Sequence, residues 1–180
     1  KTLVEHRRCV PEIIGFSNRI AYEPDNIRLV PVRQFGADRL APIRAVHITD
    51  GYETGTGSLK INKPEAEAIV EQIEKCLVDP RYEGKTFGVV SLLGPRQAKI
   101  INNLLLDRVP PEEWAARDLR CGDAAAFQGS ERDVMFLSMV SAPAPGQRMR
   151  ALTVEANVQR YNVATSRAKD QLWVFHTVSL

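Results

Sequence analysis

The chain has 180 residues, 44% of them hydrophobic, with 24 Lys and Arg against 22 Asp and Glu and a formal net charge of +2. That is enough apolar material for one sizeable core and one domain, and too even a balance for a partner held by global charge, so any basic surface has to be local. Cys9, Cys76 and Cys121 are too widely spaced for a disulfide framework or a paired zinc motif, and no signal peptide or long apolar span occurs; a reducing, cytoplasmic setting without a membrane is the expectation.

"EHRRCVPEIIGFSNRIAY", Glu5 to Tyr22, places Pro11 at a helix start and Ile13, Ile14, Phe16 and Ile20 in a helical apolar stripe, with Arg7 and Arg8 just ahead. "IRAVHIT", from Ile43, reads as a strand, and "ITDGYETGTGSLKINKPE" as a connecting loop. A helix follows near Pro64: Ala66, Ile69, Val70, Ile73 and Leu77 recur at helical spacing, and Asn62 with Glu65 has the form of a capping box. "FGVVSLL" is a buried strand by its apolar run, and "PRQAKIINNLLLDRV" a helix with Ile100, Ile101, Leu104 and Leu105 inward. "DVMFLSMV" is another buried strand, "SAPAPGQRMRA" a second loop, "NVQRYNVATSRAK" a helix and "QLWVFHTV" a final strand. Alternation of this kind, with unbroken apolar strands, argues a parallel α/β sheet covered on both faces. Ligands of such sheets sit at the carboxyl ends of the strands, which is where the chemistry is expected.

Two glycine motifs need weighing. "EGKT", Glu83 to Thr86, has the ending of a P-loop. The full pattern G-x-x-x-x-G-K-[ST] follows a strand and opens a helix, wrapping phosphates in backbone N–H groups. Here Asp79 occupies the first glycine position, Pro80 follows it, and the motif precedes a strand. It reads as a turn entering that strand, so the chain has no ATP cradle of its own. "GTGSLK" lacks the third glycine of a dinucleotide loop, Lys60 standing there, and no strand-turn-helix frames it. A nucleotide-cofactor enzyme is set aside on that ground.

Three polar clusters remain. In the last helix Tyr161, Ala164 and Ala168 share a face, and Arg160 and Arg167, two turns apart, are expected side by side along it. An anion would account for such a pair, although a solvated basic face is the default by pattern alone. In "GDAAAFQGSERDVMFLSMV", Gly129 permits close backbone approach and Gln128 and Glu131 could bind sugar hydroxyls; a polar turn is the default here. The third is Arg7-Arg8, by default a surface pair. His6, His47 and His176 show no metal spacing, His47 belongs in a core or at a sheet edge, and Trp173 in the final strand is read as core.

Taken together and in this order, the clusters resemble the second RecA-like domain of superfamily 1 helicases, in the branch of the nonsense-mediated-decay type RNA helicases and their bacterial DNA-helicase relatives. "EHRRCVPEIIGFSNRIAY" resembles motif IV, "INKPEAEAI" the family's N-x-x-E-A helix start, "FGVVSLLGPRQAKII" its strand and glutamine-bearing helix, "AFQGSERDVMFLSMV" motif V and "RYNVATSRAK" motif VI. The resemblance covers nearly the whole chain. It implies a three-layer α/β, RecA-like fold of the P-loop NTPase type with a mainly parallel sheet and no P-loop of its own, as a single domain over residues 1–180. Lys1 at the start, rather than Met, reads as a piece of a longer protein.

By this resemblance, ATP and Mg2+ are held in a cleft against an upstream RecA-like domain that supplies the P-loop and the magnesium ligands. Arg167 and Arg8 are then the catalytic arginine fingers, and Gln128, Gly129 and Glu131 line the nucleotide. Ser91, Gln97, Arg160 and Asp123 are the implied contacts to single-stranded nucleic acid, DNA ahead of RNA. No metal ligand is expected on this chain. Two positions depart from the pattern: Asp123 stands where the family often has Thr, and Arg7 where relatives often have Tyr. A carboxylate at the first is unfavourable beside phosphate unless turned away. The implied function is the C-terminal motor domain of an ATP-dependent helicase or translocase, with a non-catalytic nucleic-acid-binding or scaffolding domain as the alternative, for which Asp123 is the feature in favour.

Overall fold

A computed structural model describes residues 5–37, 39–142 and 155–178. Much of the proline-rich stretch read as a loop, residues 143–151, lies outside the described residues. The strands β3 (Ile43–His47), β4 (Phe87–Ser91), β5 (Arg120–Asp123), β6 (Arg132–Ser138) and β7 (Ala168–His176) form one sheet in the order β3-β7-β6-β4-β5, every pair parallel. Two shorter strands, β1 (Glu5–His6) and β2 (Val30–Pro31), pair in parallel separately.

Helices cover both faces, because the interior strands alternate two apolar sets. On one face Phe87, Val89, Val134, Phe136 and Phe175 pack with Ala66, Ile69, Val70 and Ile73 of α2 (Lys63–Leu77) and Ile101 and Leu105 of α3 (Pro95–Arg108). On the other, Val90, Met135, Leu137 and Leu172 pack with Ile13 and Ile14 of α1 (Pro11–Ser17) and Ala164 of α5 (Glu155–Thr165). Phe136 sits in register between Val89 and Trp173, and its ring stacks on Trp173 with centroids 6.4 Å apart. Trp173 is therefore part of the packing, as expected. His47 lies on the edge strand and stacks on His176 at 5.4 Å.

The helix starts follow their residues. Pro11, Pro64 and Pro95 each fall in a first turn, where the missing N–H costs nothing. Asn62 Oδ1 accepts from Glu65 N at 3.1 Å, which caps α2. The reciprocal half of the expected capping box is replaced: the Glu65 side chain turns inward, where Oε1 accepts from Ser138 Oγ and from Val140 N at 2.9 Å. A short helix, α4 (Pro111–Ala116), and β5 are elements the sequence reading left unassigned.

"EGKT" is a turn entering β4. Lys85 Nζ pairs with Asp170 at 2.9 Å, and Thr86 gives both its N–H and its hydroxyl to Asp133 Oδ2 at 2.8 Å. Asp79 caps the preceding turn through Arg81 N at 3.0 Å. The lysine and threonine that would serve a nucleotide thus tie β4 to the starts of β6 and β7.

Candidate functional site

Arg8, Glu131 and Arg167 come from three separate segments and line one cleft of about 660 Å³, together with His6, Tyr22 and Ser166. Each is positioned by an element start. Arg8 follows β1 and precedes α1; Val10 N bonds Lys169 O at 3.0 Å and fixes that segment against β7. Glu131 is the residue before β6, and Arg167 the residue before β7. Arg132 N donates to Arg167 O at 3.0 Å, so the two strand starts are locked together.

Arg8 Nε pairs with Glu131 Oε2, and Arg8 Nη1 donates to Ser166 O at 3.3 Å. Arg167 differs: its Nε is buried and has no partner among the described residues. Burial, and then the neighbouring Arg8 charge, lower its pKa from the ordinary arginine value. A guanidinium stays protonated regardless, so Arg167 keeps its charge where burial and the Arg8 charge oppose it. Burial and Arg8 also lower the His6 pKa, which suits its role: Nε2 accepts from Cys9 N at 3.1 Å. Burial pushes the Cys9 thiol up to about 12, so it is an inert core group and no nucleophile. Asn162 Nδ2 donates to Tyr22 Oη at 3.2 Å and tethers α5 to the segment after α1.

This cleft lies at the amino ends of β6 and β7, which corrects the expectation of a site at the carboxyl ends. The strands begin directly after Glu131 and Arg167, so those side chains belong to the entering turns. Gln128 and Gly129 lie three and two residues upstream of Glu131 and are both exposed. Gly129 has φ +77, a conformation only glycine adopts cheaply, and space above it is open: a Cβ there would meet nothing within 4 Å.

A second cavity, of about 630 Å³, opens at the carboxyl ends of β4, β5 and β6. Arg160, Asp123, Lys60 and Gly94 line it. Arg160 and Arg167 are thus not side by side. The helix ends at Thr165 and the chain turns into β7, so Arg160 faces this groove and Arg167 the cleft. Asp123 Oδ1 accepts from Ala126 N at 3.0 Å, which engages the carboxylate in its own turn. Arg7 is exposed and pairs with Glu5 at 2.6 Å.

Ser91 and Gln97 require correction as strand contacts, since both are fully buried. Gln97 grips the backbone of Asn62, accepting from its N and donating to its O, both at 2.9 Å, and reaches Ser138 Oγ at 3.2 Å. It is a clamp between α3 and the start of α2. Ser91 Oγ is enclosed in the sheet without a partner among the described residues.

A family model described as an AAA domain matches residues 1–178. The chain belongs to that family. No curated protein matches the sequence of this AAA domain. Among solved structures, its fold matches the C-terminal domain of a possible DNA helicase from Lactobacillus plantarum WCFS1, with a TM-score of 0.53 and 15% identity over 97% of this chain and 89% of that one. The RecA-like architecture of a helicase C-terminal domain is therefore the architecture of this AAA domain. In the described residues no helix is long and apolar enough to cross a membrane.

Proposed function

We propose that this chain is the second RecA-like domain of an ATP-dependent superfamily 1 helicase or translocase, in the nonsense-mediated-decay type branch with its bacterial DNA-helicase relatives. The observation that carries the reading is the meeting of Arg8, Glu131 and Arg167 in one cleft, with the Arg167 Nε buried and without a partner among the described residues. A buried N–H without an acceptor is costly, and an anion would supply one. The γ-phosphate of ATP, presented by a P-loop domain across the cleft, is that anion. Planar guanidinium groups neutralise the charge that spreads over the phosphoryl oxygens in the transition state. Arg167 is the finger, Arg8 the second cation, and Gln128, Gly129 and Glu131 border the nucleotide.

The cleft supplies cations and two carboxylates, Glu131, already engaged by Arg8, and Glu5, already engaged by Arg7. Among the described residues no group of three His, Cys, Asp or Glu side chains could hold a metal ion. These residues fit phosphate and not Mg2+, whose ligands belong to the P-loop domain. Single-stranded nucleic acid is assigned to the carboxyl-end groove, where Arg160 meets its backbone. The solved domain of like fold is described as part of a possible DNA helicase, which supports DNA ahead of RNA.

The test is ATP turnover by the intact protein with its P-loop domain, with and without a single strand. Strand-stimulated turnover should fall by roughly 10³ or more in Arg167→Ala. Wild-type protein without stimulated turnover would instead support a scaffolding domain, the reading favoured by a carboxylate, Asp123, in the groove.

A further inference from the structure

Among the described residues two cations line the carboxyl-end groove: Arg160 of α5, and Lys60, which belongs to none of the helicase-like motifs. We infer that Lys60 is a second phosphate contact in this groove, held ready by Glu53, whose carboxylate the strand displaces. The inference rests on the reading of the groove as the strand-binding surface.

The "GTGSLK" segment is a built wall. Thr54 and Ile61 exchange backbone hydrogen bonds, both 2.9 Å, and close the loop between them. Inside it Gly57–Leu59 makes a tight turn, with Leu59 N bonded to Thr56 O at 3.0 Å. The wall presses on the start of α3: a Cβ at Gly94, where φ is +126, would sit 2.8 Å from Ser58 O. On its other side, Asn62 is gripped by Gln97. The Lys60 backbone is thus fixed from both directions, and its stem projects into the groove from a rigid base.

The side chain is poised but weakly held. Lys60 Nζ pairs with Glu53 Oε1 at 2.6 Å, and both side chains keep about a quarter of their surface in solvent. The other Glu53 oxygen accepts from Ala142 N at 3.1 Å, so the carboxylate is anchored to the segment leaving β6. A part-exposed ion pair is worth little in water and is screened by salt. A phosphate backbone that also engages Arg160 can therefore take Lys60 from Glu53. Lysine suits this exchange, being a compact charge on a flexible stem that need not match a fork geometry.

The two partners then have opposite effects. Removing Lys60 deletes one phosphate contact, which weakens binding and lowers the salt slope of log K by about 0.7 for a single strand. Glu53→Gln keeps an oxygen for Ala142 N but removes the competing charge, so the strand should bind more tightly with the slope undiminished. The measurement is fluorescence anisotropy of labelled oligo(dT) with the full nucleotide-free protein over a salt series, for wild type, Lys60→Ala, Lys60→Arg, Glu53→Gln and Arg160→Ala. Lys60→Ala should weaken binding several-fold, Lys60→Arg should restore most of it, and Glu53→Gln should tighten it. If Arg160→Ala weakens binding while Lys60→Ala matches wild type, the groove reading stands and the inference falls. If Glu53→Gln weakens binding as Lys60→Ala does, the pair is only a structural staple. Wild-type protein that binds no strand overturns the groove reading, and the inference with it. Should Lys60→Ala fail to fold, the sign of the Glu53→Gln effect still decides.

Discussion

Glu65 carries its carboxyl wholly inside the protein, with Oε2 lacking a partner among the described residues. Burial is the larger influence on it and raises its pKa to about 7, against the opposing hydrogen bonds from Ser138 and Val140. An acid with a raised folded pKa holds its proton more tightly in the folded state than in the unfolded one. Its contribution to stability is complete below the unfolded value of 4.5 and is lost as pH rises to about 7. At about 1.4 kcal/mol per unit, the loss is on the order of 3 kcal/mol. Urea unfolding at about pH 5 and about pH 8 should show wild type losing stability relative to Glu65→Gln across that window. Parallel pH profiles would mean that the buried group titrates normally. The group also holds a strained neighbour: Val140, a β-branched residue, sits at φ +66 with its N–H on Glu65 and its carbonyl on Asn62.

The start of α2 concentrates several such ties, so a single change there should be expensive. Asn62 caps the helix at Glu65 N and donates Nδ2 to Val140 O at 3.2 Å and to Thr177 Oγ1 at 2.9 Å. Losing the cap alone costs about 1 kcal/mol. Leaving a buried carbonyl unsatisfied adds roughly 1–3 kcal/mol. Asn62→Ala should therefore lower unfolding free energy by about 2–4 kcal/mol in denaturant titration, and a loss under about 1 kcal/mol would show these bonds to be replaceable.

The same helix shows what a sequence can disclose. The period of Ala66, Ile69, Val70 and Ile73 marks α2, and unbroken apolar runs mark β4, β6 and β7, because burial on one or both faces fixes those patterns. β5 was not legible: Arg120, Gly122 and Asp123 are poor strand formers, and an edge strand tolerates them. β1 and β2, at two residues each, are too short to carry a period. The helix α4 did leave a signal, a proline start with Glu112 and Glu113 in the first turn.

At the sites, Arg8, Glu131 and Arg167 stood out through motif resemblance, whereas the end of the sheet they occupy did not. Ser91 and Gln97 misled because a polar residue at a strand end or helix start serves equally well turned inward. Lys60 was passed over because its segment was weighed only as a connecting loop and as a glycine loop.

Considered as a whole, the molecule offers, on the proposed reading, half of a nucleotide site. Lys85 and Thr86 of "EGKT" are committed to Asp170 and Asp133, so nothing there is free to cradle a triphosphate. The isolated chain should show no ATP turnover above background in a phosphate-release assay; clear turnover, with or without a strand, would overturn the account of that turn. The strand order has a further consequence. β7 comes last among the strands in sequence yet lies inside the sheet, between β3 and β6. β3 has β7 as its sheet neighbour, and Ile43 pairs with Leu172. Contacts so distant along the chain carry a large loop-closure cost and slow folding. During synthesis β3 must wait, unpaired, until β7 has left the ribosome, and a product cut short before Ala168 would bare the edges of β3 and β6 that β7 covers in the finished sheet.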